Sequence, residues 1–189
     1  MELYYRTFEK HKQLIAIAIE KMKQINDYEH DINHVLDVVE LTKRLMSKLD
    51  KNFDIDVCII SAYWHDVGRT IDNENHEKIS AELLKQEMKK LDYDNKMIDK
   101  CYNAIVNHRW DMNPTTIEGL ILKDADKLAF LGENRWNSCL NNNQMLDEII
   151  NLLPRLKNEI LFFEESRKIY DDMIIELVKK IYNKVVKNV

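Results

Sequence analysis

Glycine and proline are scarce in this chain, whose 189 residues include only 3 glycines and 2 prolines. An all-β protein needs turn residues every few positions, so this scarcity excludes a sandwich or a barrel and favours long helices. No segment alternates convincingly with the period of two that a strand shows. Charged residues make up 32% of the chain and are interspersed, as helices with one solvated face require. We therefore predict an all-α fold, a single compact helical bundle of about seven or eight helices.

The chain also lacks a disulfide framework, a long apolar run and an excess of basic residues. Its 3 cysteines are widely spaced and are interpreted as small buried apolar residues of a reducing compartment: Cys58, Cys101 and Cys139. The N-terminus lacks the order of a signal peptide, and the longest early apolar run, residues 14–19, is far too short to span a bilayer. The net charge of −5 gives no electrostatic footprint for nucleic acid or an anionic membrane. We expect a cytoplasmic protein without a membrane or nucleic-acid partner, and a homo-oligomer is left open.

Apolar residues at helical spacing predict successive helices along the chain. The first is expected over residues 2 to about 25, and Asp31 can cap the second. Further helices are expected from the region of Asp54, from near His76, over residues 96 to 108, and up to Gly132. Residues 68–75 are expected to form a polar loop. The remainder from residue 137 predicts two more helices, broken near Pro154 and around 164–166.

Two histidines and two aspartates fall on faces that the apolar pattern turns inward. His34 heads the inward row of the second helix, and His65 and Asp66 straddle one face near the end of the third. Asp126 stands among apolar neighbours on the inward face of the sixth. An ionised carboxylate buried without a partner is costly, because it loses its hydration. Since imidazole and carboxylate are ligands of Mn, Fe, Co, Ni and Zn, these side chains predict a divalent-metal site and a metal-dependent hydrolase.

The dipeptide His-Asp is weak evidence when taken alone, because it occurs twice. His30-Asp31 precedes a helix, where chance and the capping role of Asp31 explain it. His65-Asp66 ends an apolar helix, where an acid has no capping role and opposes the helix dipole. The alternative for this second pair is a surface turn that begins one residue early.

His34 and Asp126 also have ordinary structural readings. A lone histidine on an apolar face is more often a satisfied core residue than a ligand. Asp126 could form an ion pair with Arg109 or Lys127 instead of binding a metal. The neighbouring Asp124 points elsewhere and is expected to be solvated.

Further polar residues complete the candidate site. His76 and His108 continue apolar rows and could bind a second metal, act as a general acid or hold a phosphate oxygen. Either could also be a plain helix-end histidine. Arg69, Lys127 and Arg135 could bind a substrate phosphate, because guanidinium and ammonium groups pair with it. For Arg69, an exposed surface cation is an equal alternative.

This pattern is similar to that of the HD-domain superfamily of metal-dependent phosphohydrolases. The ligands of that family, a histidine, a His-Asp pair and a distant aspartate, match His34, His65, Asp66 and Asp126. Supporting matches are Asp31 three residues before His34, the sequence His65-Asp66-Val67-Gly68, the stretch Lys123-Asp124-Ala125-Asp126-Lys127-Leu128, the stretch from His76 through Ser80 and Ala81, and Ile105-Val106-Asn107-His108. The last two resemble the extra histidines of subgroups that hold two metals. The resemblance implies one helical HD domain over residues 1–189, with a motif-bearing core at about 31–136 and C-terminal helices at 137–189 packed on it.

The resemblance also implies a chemistry. The expected cofactor is a divalent metal, one or two ions of Mn, Fe, Mg, Ni, Co or Zn, and the expected substrate is a small phosphorylated molecule, above all a nucleotide. The sequence lacks the Gly-Tyr-Pro motif of the cyclic-dinucleotide subgroup, and Arg69 stands where some subgroups have an acid. Two alternatives stay open: a regulatory metal- or nucleotide-binding module with little turnover, and a helical bundle with a structural or interaction role.

Overall fold

The computed structural model describes residues 2–25, 27, 30–132 and 151–186. Every regular element in these ranges is helical and none is a strand, which confirms the predicted all-α fold. The α-helices are α1 Glu2–Met22, α2 Ile32–Met46, α3 Ile55–Trp64, α4 His76–Lys90, α5 Asn95–Val106, α6 Ile117–Leu128 and α7 Glu164–Val186. Short 3₁₀ turns follow α3 and α6 at Val67–Thr70 and Ala129–Leu131.

Short polar side chains begin several of these helices. Asp31 accepts hydrogen bonds from the backbone N–H groups of Asn33 and His34 at 2.8 and 3.1 Å. It thereby satisfies donors that the first turn of α2 leaves unpaired, which confirms the predicted cap. The same role at α3, α5 and α6 falls to Asp54, Asp94 and Thr116.

The central helix of the bundle is α3. Its residues 57–64 are all buried, and it packs against α1, α2, α5 and α6. The indole N–H of Trp64 donates to the carbonyl oxygen of Leu14 on α1 at 3.2 Å. A helix that is apolar all round belongs in the interior. Because α3 ends inside the core, the residues that follow it, His65 and Asp66, are buried as well.

The turn after α3 has no room for a side chain at position 68. The N–H of Gly68 donates to Ser80 Oγ at 2.7 Å. A Cβ on Gly68 would lie 2.2 Å from the carbonyl oxygen of His76 and 2.7 Å from the backbone nitrogen of Ser80. The region expected to be a polar loop therefore begins with a 3₁₀ turn that lies against the start of α4, and this contact brings Asp66 close to His76.

The predicted end of the fifth helix and the predicted break at Pro154 are wrong, whereas the break expected around residue 164 is confirmed. The helix α5 ends at Val106, so His108 lies just beyond it. Residues 151–160 are helical on both sides of Pro154, ending in a π-helical turn at Leu156–Ile160. The fixed φ of proline suits a helix, although its missing N–H leaves one helical hydrogen bond unmade and its ring crowds the carbonyl group four residues earlier. The break expected around residue 164 is confirmed, since α7 begins at Glu164.

Asp124, which was expected to be solvated, is fully buried. Its carboxylate accepts hydrogen bonds from the backbone N–H of Phe162 at 2.9 and 3.0 Å and from that of Phe163 at 2.9 Å. These residues immediately precede α7, which packs on α6 and α2. The expectation failed because the partners lie 38 and 39 residues away along the chain.

The cysteines agree with their interpretation as far as the structure describes them. Cys58 and Cys101 are free and buried, and Cys139 lies outside the described residues. Within the described part of the chain, no helix combines the length and apolar character needed to cross a bilayer.

Candidate metal centre

The His65-Asp66 pair lies at the buried C-terminal end of α3. His65 is fully buried and Asp66 is 2% exposed. The Nδ1 atom of His65 lies 2.9 Å from the carbonyl oxygen of Ala62. Because a carbonyl oxygen can only accept a hydrogen bond, we assign the imidazole proton to Nδ1. The Nε2 atom therefore carries a lone pair and faces the interior.

The helices α2 and α6 bring His34 and Asp126 to the same place. His34 Nε2 lies 3.3 Å from His65 Nε2 and 3.7 Å from Asp66 Oδ2. Asp126 Oδ1 lies 3.2 Å from His34 Nε2 and 3.9 Å from His65 Nε2. Ligand atoms of His34, His65 and Asp66 all lie within 4.8 Å of one another. The structure thus gathers the four residues that the sequence singled out as metal ligands.

A second group of the same kind shares Asp66. Asp66 Oδ1 lies 3.3 Å from His76 Nε2 and 3.9 Å from His108 Nε2, and ligand atoms of these three residues are also within 4.8 Å of one another. The Nδ1 atoms of His76 and His108 lie 2.8 and 2.7 Å from the carbonyl oxygens of Asn73 and Ile105. Their Nε2 atoms are therefore acceptors as well.

Burial keeps the central imidazoles neutral. It lowers the pKa of His65 despite the nearby carboxylates. It also lowers the pKa of His108 to about 3, and the adjacent His65 adds to this shift. Near neutral pH both rings therefore hold a single proton, and a neutral imidazole is the form that binds a metal.

The two carboxylates stay ionised although they are buried. Burial raises the pKa of Asp66, but His65 and Arg69 outweigh this effect and hold the pKa below its ordinary value. Burial also raises the pKa of Asp126, and Lys127 is the largest of the influences that outweigh it and hold that pKa well below the usual range. The cluster therefore combines negative oxygen ligands with neutral nitrogen ligands.

This donor set fits a divalent cation. Asp66 Oδ1 and the Nε2 atoms of His76 and His108 are acceptors that converge, and Arg69 Nη2 donates to one of them, His76 Nε2, at 3.3 Å. Asp66 Oδ2 is buried and receives no hydrogen bond from the described part of the chain. Lone pairs that face one another repel unless a cation lies among them, and imidazole with carboxylate suits the borderline divalent metals.

Two of the predicted phosphate-binding cations stand beside the carboxylates. Arg69 Nε lies 2.9 Å from Asp66 Oδ2, although its N–H is not aligned for a hydrogen bond. Lys127 Nζ donates to Asp126 Oδ2 at 2.6 Å. The ion pair considered as an alternative for Asp126 therefore exists. It occupies only Oδ2 and leaves Oδ1 facing His34, so an ion pair and a ligand role are compatible.

Arg109, the other ion-pair partner considered for Asp126, is held by different groups. Its Nε and Nη2 donate to the carboxylate of Asp111 at 3.1 and 3.3 Å, and its Nη1 donates to the carbonyl oxygen of Glu74 at 2.9 Å. Arg109 thus joins the segment after α5, which carries His108, to the loop that leads into His76. Arg135, the remaining predicted phosphate-binding residue, lies outside the described residues.

The cluster opens into a cleft of about 380 Å³. Its lining includes five side chains that were not predicted as site residues: His30, Arg109, Trp110, Asp111 and Phe130. Positional signals for them exist in the sequence. Arg109 and Trp110 directly follow His108, and Phe130 stands four residues after Asp126, on the same helical face.

His30 belongs to the cleft, although the dipeptide that contains it was attributed to chance and capping. Its Nδ1 lies 2.8 Å from Asp27 Oδ2, and the centroid of its ring lies 5.9 Å from that of His34 in an edge-on arrangement. Burial lowers the pKa of His30. The available signal was its position four residues before His34.

Several curated proteins are similar to this chain. Ribonuclease Y of Ureaplasma parvum is 35% identical over 113 residues, which are 59% of this chain and 22% of that protein. Ribonuclease Y of Streptococcus agalactiae is 24% identical over 193 aligned positions, covering 94% of this chain and 34% of the relative. A deoxyguanosinetriphosphate triphosphohydrolase-like protein of Caldanaerobacter subterraneus is 25% identical over 137 residues, 66% of this chain and 39% of the relative. The chain thus spans between 22% and 39% of the length of these relatives.

Two solved structures share the fold. One is a predicted HD superfamily hydrolase from an uncultured Thermotogales bacterium, with a TM-score of 0.69, 23% identity, and coverage of 94% of this chain and 92% of that one. The other is YpgQ of Bacillus subtilis in complex with ADP, with a TM-score of 0.69, 16% identity, and coverage of 97% and 96%. At these identities the likeness concerns the fold alone.

The family model of the HD domain matches residues 31–131, which is more than half of the chain. This range contains His34, the His65-Asp66 pair and Asp126, on which the resemblance was based. It also contains both groups that meet at Asp66. The protein is therefore a member of the HD-domain family.

Proposed function

We propose that this protein is a metal-dependent phosphohydrolase that cleaves a phosphate ester of a small molecule, with a nucleotide as the favoured substrate. The observation that carries the proposal is the convergence of imidazole nitrogens and carboxylate oxygens around Asp66. Arg69 and Lys127 line the same cleft. Membership of the HD-domain family supports the proposal.

The ligand sets for the metal follow from the two groups. A first divalent ion would be held by His34, His65, Asp66 and Asp126, and a second by Asp66, His76 and His108. When bound, such an ion lowers the pKa of a water molecule and polarises a phosphoryl oxygen. The carbonyl groups that hold each Nδ1 proton keep the Nε2 atoms in position. Because its Nδ1 proton is directed to the carbonyl oxygen of Ile105, His108 presents a lone pair to the cluster, which suits a ligand role.

Lys127 and Arg69 would bind the phosphate. Each lies within ion-pair distance of a carboxylate of the cluster. Both therefore place positive charge beside the candidate metal ligands, where the phosphate would bind. A guanidinium can bind two phosphate oxygens side by side, whereas an ammonium acts as a compact charge. Both would stabilise the negative charge on the phosphoryl oxygens during cleavage.

The dimensions and charge of the protein favour a small substrate. A cleft of about 380 Å³ is in the range of small-molecule sites, roughly 300–1,000 Å³. The net charge of −5 does not favour binding of a nucleic-acid backbone. The triphosphohydrolase-like relative and the fold neighbour with ADP support a nucleotide. RNA belongs in the test because other relatives are named ribonuclease Y.

The test is a substrate panel on the full chain supplied in turn with Mn²⁺, Mg²⁺, Co²⁺ and Ni²⁺. The panel contains AMP, ADP, ATP, dGTP, p-nitrophenyl phosphate and a short RNA, and released phosphate, pyrophosphate and nucleotides are measured. We expect metal-dependent hydrolysis of at least one nucleotide. Nucleotide binding without turnover under any metal would favour the regulatory module, and cleavage of RNA alone would favour a ribonuclease.

A matched pair of variants tests the ligand assignment. Asp66→Asn should lower kcat/KM by at least about 100-fold, because loss of even an indirect metal partner costs about 10- to 100-fold. Asp99→Asn removes an exposed acid of α5 and should leave activity unchanged. Elemental analysis should show less bound metal in Asp66→Asn alone. If the Asp66→Asn protein unfolds at the wild-type temperature and keeps its activity, the ligand assignment is refuted.

A further inference from the structure

One wall of the cleft is aromatic. Trp110 and Phe130 both line it, and their ring centroids are 5.7 Å apart with the planes inclined at 57°. Both side chains are half-buried, so each combines packing on the core with a surface turned to the cleft. The other lining side chains are charged groups or imidazoles. An aromatic wall is not needed for binding a phosphate, so it indicates something about the rest of the ligand.

Lys127 joins this wall to the candidate metal centre. Its Nζ lies 5.5 Å from the centroid of the Trp110 ring, and the same atom donates to Asp126 Oδ2 at 2.6 Å. A single ammonium group therefore touches both the aromatic wall and a candidate metal ligand. A phosphate ester that places its phosphate beside Lys127 has its organic part within reach of Trp110.

The cleft offers little for reading the edge of a base by hydrogen bonds. Among the described residues, no amide or hydroxyl side chain lines it. Arg109 and Asp111 both line the cleft but are paired with each other, and Arg109 also donates to the carbonyl oxygen of Glu74. His30 Nδ1 lies 2.8 Å from Asp27 Oδ2. Stacking on an aromatic side chain needs only the π-face that every base has, and it is therefore tolerant of sequence.

We infer that Trp110 and Phe130 bind the organic part of the substrate, and that this part is a planar ring of the nucleobase kind, held by stacking with little discrimination among bases. The inference rests on the proposed function, which supplies the phosphate end of the ligand. It adds the chemical group at the other end and the side chains that hold it.

The test compares AMP with ribose 5-phosphate, which has a hydroxyl group where AMP has the base. The full chain is supplied with Mn²⁺, and affinity is measured as Kd by calorimetry where the ligand persists and as KM where it is cleaved. We expect AMP to bind at least about tenfold more tightly, the size of effect that one stacked base has in other proteins. GMP, CMP and UMP should bind within about fivefold of AMP, because stacking does not depend on the base edge.

Variants of the wall separate stacking from packing. Trp110→Leu should weaken AMP binding by about tenfold and change ribose 5-phosphate binding by less than about twofold. Trp110→Phe keeps a ring and should retain most of the affinity for AMP. Tyr102→Leu, at a half-buried aromatic residue of α5 outside the cleft, should affect neither ligand. If Trp110→Leu does not fold, Phe130→Leu tests the same wall.

The outcomes distinguish the two proposals. Equal affinity of the wild type for AMP and ribose 5-phosphate, or an equal loss for both ligands in Trp110→Leu, would overturn the ring-binding inference. Hydrolysis of ribose 5-phosphate as efficient as that of AMP would do the same and leave the phosphohydrolase proposal intact. Nucleotide binding that depends on Trp110 without hydrolysis under any metal would refute the enzymatic proposal and support the ring-binding wall.

Discussion

The position of one proton on each imidazole decides what the cluster around Asp66 can bind. A neutral imidazole offers one donor and one acceptor. In His65, His76 and His108 the donor is directed to a carbonyl oxygen three residues earlier, so each ring presents its acceptor to the carboxylate. With its proton on Nε2 instead, His76 would donate a hydrogen bond to Asp66 Oδ1 at 3.3 Å, and that contact would need no cation.

Gly68 is a second residue on which the site depends. Gly68→Ala should lower the free energy of unfolding by about 1–3 kcal/mol or more, because the added methyl group would collide with the backbone of His76 and Ser80. It should also weaken metal binding, since the displaced backbone carries His76. Urea unfolding and metal content measure the two effects.

Ile71→Ala is the matched control for Gly68→Ala, because Ile71 lies three residues further on and is 66% exposed. It should change neither stability nor metal content appreciably. A Gly68→Ala protein with wild-type stability and a full complement of metal would show that the turn tolerates a side chain and that its contact with α4 is not required.

At the scale of elements, α6 contacts two separate parts of the molecule through residues two positions apart. Asp126 faces the candidate metal centre, whereas Asp124 faces the segment that leads into α7. Residues two apart on a helix point in widely different directions, so both orientations follow from one helix. Burial raises the pKa of Asp124, and the N–H groups of Phe162 and Phe163 offset part of this effect.

Asp124→Ala should lower the free energy of unfolding by about 2–4 kcal/mol, because two backbone N–H groups, that of the buried Phe163 among them, lose their charged acceptor. Asp124→Asn keeps one acceptor oxygen and should cost less. Urea unfolding gives the free energies, and hydrogen exchange should show faster exchange at the start of α7 in the alanine variant.

Glu176→Ala, at an exposed position within α7, is the control for this element. It should leave both the unfolding curve and the exchange rates near those of the wild type. Unchanged protection of the first turn of α7 in Asp124→Ala would mean that packing alone holds this helix on α6.

At the scale of the whole molecule, the candidate ligands connect most of the bundle. They lie on α2, at the end of α3, at the start of α4, after α5 and on α6. A ligand that binds only the folded state stabilises it, so a metal held by these residues should stabilise the whole fold and not one helix.

Saturating Mn²⁺ should raise the Tm of the protein by roughly 5–10 °C over the EDTA-treated form, as expected for a chain of this length at about 100 times the Kd. Thermal unfolding followed by circular dichroism measures the shift. Asp66→Asn should show little or no shift, because both ligand groups contain Asp66. An equal shift in this variant would place the metal elsewhere.

The fold class and the ligand residues could be predicted because they depend on local patterns. The scarcity of glycine and proline excludes a β-rich fold, and helical spacing turns His34 and Asp126 inward. The resemblance that these residues carry is confirmed by the family model. Their role as metal ligands stays a prediction that the variants above test.

Residues whose partners lie far along the chain escaped sequence reasoning. Asp124 bonds to backbone groups 38 and 39 residues away. The pairing of Trp110 with Phe130 depends on how the segment after α5 meets α6. Neither contact leaves a periodic pattern in the sequence from which it could be predicted.

By itself, the sequence determined that this protein is a helical bundle and which histidines and aspartates are turned towards its interior. Composition and spacing act within one or two turns of a helix, and they decide which residues face inward. Only the tertiary structure decided that two ligand groups share Asp66, that the imidazole acceptors face it, and that the cleft has an aromatic wall. These features depend on the distances between separate helices, which follow from the packing of the whole core.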